Sequence, residues 1–240
     1  MSESQSGDKD IEYPGVCVVT LRGGATPQNA TYLLLNVLSE FTDVSLVTVE
    51  LSEDSDIHGE YDVSEISGGA MGSGLVSTIF LFMLNQLRIC GEIRRSDKGV
   101  VYFFGGLAYV VPVVFSKIIG RKVVVQPRGD VPLTLRLSWE ERFPDLVAGF
   151  LAGVVGVLEG TTARLADRIV TYTPAMAEEL GLDRFDDKLY PDGTRYIETD
   201  RFAPKTPYEE RDRVVGMVGR LDIEKGVDEI ADAVGIMSEE

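Results

Sequence analysis

The chain has 240 residues, 44% of them hydrophobic, enough for one large core or for one domain with part of another. Its 39 carboxylates against 23 basic residues leave a net charge of −16 at pH 7, which repels a polyanion over most of the surface and argues against nucleic acid as a partner. One histidine, His58, and two distant cysteines, Cys17 and Cys90, build no His/Cys metal cluster, so a structural zinc site is excluded.

The polar, acidic leader over residues 1–12 is expected to be disordered and lacks the basic and apolar regions of a secretory signal. The reading is a cytoplasmic protein. Basic residues are mostly Arg, with Lys at only seven positions, a composition suited to a salt-rich, halophilic cytoplasm where screening removes self-repulsion among carboxylates.

Gly15 to Thr20 is a short apolar run that reads as a strand, followed by the turn Gly23-Gly24 and by helical spacing over Thr31 to Phe41. Val44 to Leu51 gives a second strand. An acidic loop and the Ser/Gly-rich stretch Ser67 to Gly74 follow, the latter read as flexible. Leu75 to Arg95 is an apolar helix ending in a basic patch. Val100 to Phe104 is a continuous apolar strand, and Tyr109 to Ile119 a helix leading to the strand Lys122 to Gln126. No residue from Val100 to Ser116 is charged, close to the ~18 residues of a membrane span, but Gly105, Gly106 and Pro112 argue against one.

Beyond Pro144 runs a long helical pattern, then the strand Ile169 to Tyr172. Thr173 is placed to cap a helix that Pro174 begins and Gly181 ends. A strand and turn at Lys188 to Gly193, a proline-bearing linker from Thr199 to Tyr208, a strand at Val214 to Val218 and a helix from Val227 to Met237 complete the series. Apolar strands joined by helices rather than hairpins signal a parallel sheet covered on both faces. The expected organisation is a doubly wound α/β domain over residues 13–207 and the first β-α unit of a second over 208–240.

Two stretches hold chemistry. In GRLDIEKG, Gly219 to Gly226, an apolar run leads into Arg220, an acidic turn, Lys225 and a helix, which sets two cations beside helix N–H groups as a diphosphate requires. Pairing of those cations with Asp222 or Glu224 explains the same residues. In Gln126-Pro127-Arg128-Gly129-Asp130, Arg128 suits a phosphate or carboxylate and Asp130 suits sugar hydroxyls, while a local Arg128–Asp130 pair is the structural alternative.

Taken in order, TYTPAMAEELG (Thr171 to Gly181), YPDGTRYIETDRFAP (Tyr190 to Pro204) and VVGMVGRLDIEKGVDEIADAV (Val214 to Val234) resemble the middle of a GT-B glycosyltransferase of the family 4, or group 1, type. The resemblance implies two Rossmann-like domains and a retaining, metal-independent transfer of sugar from a nucleotide-sugar donor, a substrate rather than a cofactor, to a sugar or lipid-linked acceptor, with no metal and no cofactor bound. It places the acceptor on the N-terminal domain and matches Arg220 and Lys225 to the donor-diphosphate residues, with Gly23 and Gly24 as the glycine loop after the first strand. Arg128 and Asp130 stand where the family often has a histidine turn, and Asp192 replaces a usual asparagine. The family's Glu-x7-Glu acids are missing from these residues, so the chain reads as truncated in its donor domain and is expected to transfer sugar poorly or not at all by itself.

A lipid-linked acceptor would also suit peripheral contact of the Leu75 to Leu87 helix, with Arg88, Arg94 and Arg95 beside it, with the inner face of a membrane; a buried core helix explains the same pattern. Two other functions fit the fold class. One is a non-catalytic acceptor- or partner-binding half that needs a separate donor-domain chain. The other, a nicotinamide-dependent oxidoreductase, lacks a GxGxxG turn.

Overall fold

The computed structural model describes residues 13–20, 25–66, 75–106, 108–140, 144–191, 193, 202–212, 214, 216–219 and 226–238. The leader, Gly23, Gly24, the Ser67 to Gly74 stretch, Asp192, Arg220 and Lys225 all lie outside them. The chain divides into two compact units, Met1–Tyr196 and Ile197–Glu240.

The first unit is built on a seven-stranded, all-parallel sheet. Its strands are β1 (Val16–Thr20), β2 (Val44–Thr48), β3 (Asp62–Glu65), β4 (Val100–Gly105), β5 (Lys122–Pro127), β6 (Arg168–Val170) and β7 (Leu189–Tyr190), in the spatial order β3-β2-β1-β4-β5-β6-β7. β1 is central and pairs on both sides, Val16 lying opposite Val44 and opposite Val100. All five of its residues are buried. That is why the run reads as continuously apolar: successive side chains enter opposite cores, and neither face meets water.

Val16 and Val18 join one core with Leu34 and Leu35 of α1 (Ala25–Ser39) and Ile57 of the short α2 (Ile57–Glu60). Cys17 and Val19 join the other. There they meet Ile89 and Ile93 of α3 (Leu75–Arg95), Val113 of α4 (Val110–Ile118) and Ala163 of α6 (Asp145–Leu165). Each fully buried Val, Leu or Ile contributes roughly 1.5–3 kcal/mol of transfer free energy, so both cores are required. Cys17 and Cys90 are buried and unbridged, as expected of core thiols. Burial pushes the Cys17 thiol up to about 11 and keeps it unreactive.

Three features depart from the sequence reading. The acidic loop after β2 contains α2 and the edge strand β3, paired Ser45 to Asp62 along β2. A helix α5 (Val131–Glu140) stands between β5 and α6 and packs on α6 without burying a residue fully. A 3₁₀ helix, Asp183–Lys188, precedes β7. The uncharged stretch from Val100 is β4 followed by α4, which settles it as core. α7 (Pro174–Glu179) is capped as expected: Thr173 Oγ1 accepts from Met176 N at 3.1 Å, and Gly181 has φ +61°. Leu182 N then donates to Ala177 O at 2.8 Å, closing the helix end.

The amino ends of the strands are tied by Asp167, which joins α6 to β6. Its carboxylate accepts from Val123 N at 2.8 Å and from Lys117 Nζ at 2.6 Å, and its own N–H donates to Val123 O at 2.8 Å. Lys188 Nζ donates to Arg164 O and Ala166 O, satisfying carbonyls at the end of α6. In the second unit, a 3₁₀ turn at Tyr208–Glu210 and α8 (Val227–Ser238) are the described elements. The strand expected at Val214 to Val218 does not form among its described residues, and Val214 and Val218 are exposed there. An isolated apolar run has no ladder to join within so small a unit.

Burial alone would raise the Asp167 pKa, but the Lys117 hydrogen bond, the Val123 N–H and the Lys117 charge together hold it below the usual carboxylate range. A lowered folded-state pKa means that Asp167 stabilises the fold above its unfolded value near pH 4, and that this contribution is lost as the pH falls through the folded value. Asp167→Ala leaves Val123 N–H without its side-chain acceptor and is expected to cost about 1–3 kcal/mol at pH 7. Urea unfolding as a function of pH checks this, with the variant and parent curves converging in acid.

Candidate functional site

In an open parallel sheet, ligands collect where the strand order reverses, outside the carboxyl ends of the strands. Here the reversal lies between β1 and β4. The loop after β1, with Gly23 and Gly24, falls outside the described residues. The loop after β4 begins at Gly105, whose φ of +115° only glycine adopts readily and which turns the chain away from the sheet.

Arg128 leaves β5 and leans back to this point. Its N–H donates to Gly105 O at 3.0 Å, and its guanidinium carbon stands 5.3 Å from the ring centroid of the buried Phe104. The aromatic face holds the cation by its quadrupole and leaves the edge N–H groups available to a planar anion. The alternative of a local pair is not what forms, since Asp130 is engaged elsewhere. Asp130 Oδ1 accepts from Leu133 N at 2.8 Å, and its carbonyl accepts from Thr134 N and Oγ1. Asp130 is therefore the cap of α5, with Pro132 in the first turn where a missing N–H costs nothing.

Beside Asp130 opens a cleft of about 200 Å³. Pro127 and Gly129 form its floor at the end of β5, Glu159 its α6 wall, and Glu179 and Arg184 the side toward α7. Gly156 and Gly160, one turn apart on α6, let neighbours come close: a methyl group at Gly160 would stand 3.4 Å from Arg184 Nη2, and one at Gly156 3.7 Å from Pro132. The Arg184 guanidinium in turn lies 4.9 Å over the Phe185 ring. Within one small space the carboxylates accept hydrogen bonds from hydroxyls, while the guanidinium donates to an anion. Glu159, Glu179 and Arg184 escaped the sequence reading because they sit on three separate elements with no common spacing; the Gly156–Gly160 pair was the available signal.

The other wall of the β5 end is closed by Gln126 and Gly193. Gln126 is buried and its Oε1 accepts from Tyr102 Oη at 2.7 Å, while Gly193 N donates to Thr171 O at 2.8 Å. Among the described residues, no cluster of three or more His, Cys, Asp or Glu is placed to hold a metal ion. Arg128 and Asp130 are thus neighbours at one strand end with separate roles. Arg220 and Lys225, outside the described residues, are not placed relative to them.

No protein-family model matches the sequence, and no curated protein does. Solved structures do match. A crystal structure of a UDP-N-acetylglucosamine 2-epimerase is 13% identical with a TM-score of 0.51, over 75% of this chain and 48% of that one. MurG of Acinetobacter baumannii is 12% identical with a TM-score of 0.42, over 68% and 42%. The glycotransferase of kitacinnamycin is 10% identical with a TM-score of 0.48, over 81% and 55%. The chain spans about half the length of these proteins. The likeness is one of fold: a parallel, Rossmann-like α/β unit of the GT-B type, carried by the first comparison.

Two substitutions test the site's construction. Asp130→Ala removes the α5 cap and is expected to cost about 1 kcal/mol, with faster amide exchange confined to Val131–Glu140, measured by hydrogen exchange and urea unfolding. Gly193→Ala places a methyl group 2.5 Å from Val170 Cγ1 and 2.9 Å from Thr171 O. Overpacking against backbone is expected to destabilise by roughly 1–3 kcal/mol, read as a lowered thermal midpoint.

Proposed function

We propose that the chain supplies the acceptor side of a nucleotide-sugar glycosyltransferase, together with the entrance to its donor site. The observation that carries this reading is the ordered succession of Thr171 to Gly181, Tyr190 to Pro204 and Val214 to Val234, which begins within a parallel domain whose strand order reverses beside Arg128. The fold likeness to a UDP-N-acetylglucosamine 2-epimerase supports it by architecture. In this reading Arg220 and Lys225 bind the donor diphosphate, and their charge offsets what develops on the leaving group as the glycosidic bond breaks. In the first unit, the guanidinium of Arg128 takes an anionic group. Asp130 and the cleft beside it receive acceptor hydroxyls.

Within these 240 residues no carboxylate pair is assigned to the transferred sugar, so the reading gives them binding first. Titration calorimetry of the whole chain with UDP, GDP, ADP and dTDP is expected to show one nucleoside diphosphate bound, with Arg220→Ala and Lys225→Ala each weakening it about ten-fold, near the worth of one charge-assisted hydrogen bond. No binding of any of the four, or binding indifferent to both substitutions, would sink the reading.

A second reading, a non-catalytic half that works with a separate donor-domain chain, draws on the second unit. Val214, Val218, Val234 and Ile236 are exposed there, an apolar set that a complementary polypeptide would cover. Co-purification of such a chain, with nucleotide binding only in the pair, would favour it.

A further inference from the structure

α3, α4 and α6 lie side by side on one face of the sheet, and α5 packs on α6. A helix that covers a core in water turns its large apolar residues inward. α6 does the reverse. Ala148, Ala152 and Ala163 face the protein, while Leu146 is 85% exposed, Phe150 69% and Val157 70%. Their spacing along the helix puts them on one stripe. Neighbouring helices continue the surface with Ile118 of α4, 77% exposed, and Phe80 and Leu87 of α3, at 66% and 60%. Among the described helices α6 alone is long and apolar enough to cross a membrane, but it is packed on α4 and α5 and runs straight into β6, so it lies along the surface of the fold.

Charge separates these helices from the rest of the molecule. The four helices hold four carboxylates, Glu92, Glu140, Asp145 and Glu159, and six cations: three on α3 and one on each of the others. They carry +2 within a chain of −16. All of the net negative charge therefore lies elsewhere. Arg94 is exposed on α3, two turns beyond Leu87 on the same side of that helix, and has no carboxylate partner among the described residues. Two copies would meet with like charges, which disfavours self-association through this face. A plane that is anionic at its surface and apolar beneath is complementary on both counts.

We propose that the outer face of the α3–α4–α6 layer, flanked by α5, rests on an anionic lipid bilayer, with Phe150, Val157 and Leu146 reaching the acyl boundary and Arg94 at the headgroups. The acidic remainder of the chain is repelled by the same surface, so one orientation is selected. The proposal stands apart from the glycosyltransferase reading, since it concerns a different face of the unit and needs no nucleotide.

The test is flotation of the 240-residue chain with vesicles of phosphatidylcholine alone, or of phosphatidylcholine with about one-third phosphatidylglycerol. The chain is expected to rise with the anionic vesicles and to stay below with the neutral ones. Phe150→Ser combined with Val157→Ser should lower the bound fraction more than ten-fold, and Arg94→Gln about five-fold, each variant keeping the parental circular dichroism. The two act on different terms, so either one carries the test if the other misfolds. A chain that stays below with anionic vesicles overturns the proposal, as does flotation unchanged by both variants. Sedimentation as a dimer that the Phe150→Ser/Val157→Ser variant dissolves, without flotation, overturns it in favour of a second copy on this face.

Discussion

Everything in the first unit depends on β1 pairing in parallel on both sides. A parallel neighbour cannot be reached by a hairpin, so each ladder requires a crossover that carries the chain back over the sheet. β1 reaches β2 through α1 on one face, whereas β4 is reached only after β3 and α3 have taken the chain to the opposite face. That reversal divides the apolar surface into two cores and opens the crevice in which Arg128 stands. The same constraint leaves the strand ends unlike each other. At the amino ends Asp167, Lys117 and Lys188 fasten strands and helices by hydrogen bonds to backbone and side chain. At the carboxyl ends, single turns hold the loops: Gly105 at positive φ, the Asp130 cap and the close contact at Gly193.

The parts of the fold that were legible in the sequence are those where local and tertiary preferences agree. Leu75 to Arg95 was read with its observed ends because a long apolar run stops at a basic turn. The capped helix at Thr173 was read because its punctuation acts through local hydrogen bonds. β3 was not, since Asp62 to Glu65 is an edge strand with one neighbour and half-exposed side chains, and its sequence carries no apolar run. α5 was missed for a related reason: it buries no residue fully, so no inward stripe marks it. At the site, Arg128 and Asp130 were found as residues because they sit in one short turn. Their roles were set by their partners, the Phe104 ring and the α5 backbone, and the cleft's remaining walls come from three further elements.

Exposure on α6 carries a related lesson about reading apolar helices. Its composition alone fits a buried core helix, a spanning helix or an interfacial one. What distinguishes them is which residues face the protein, and here the small ones do. Ala at the contact lets α6 lie close to its neighbours, so the layer is thin and its large side chains project from it rather than fill it.

The pairing of Val16 with Val100 also sets an order of events during synthesis. Until β4 has left the ribosome, β1 has no partner on its second flank and its second core has no floor, so any early pairing of the first two strands would leave an apolar edge open. The contact of β4 with β1 spans a long stretch of chain, and the loop-closure entropy it costs is offset only by filling both cores. A nascent chain of this design is most in need of a holding chaperone in that interval, and substitutions that slow the closure of α3 would lower yield without altering the finished fold.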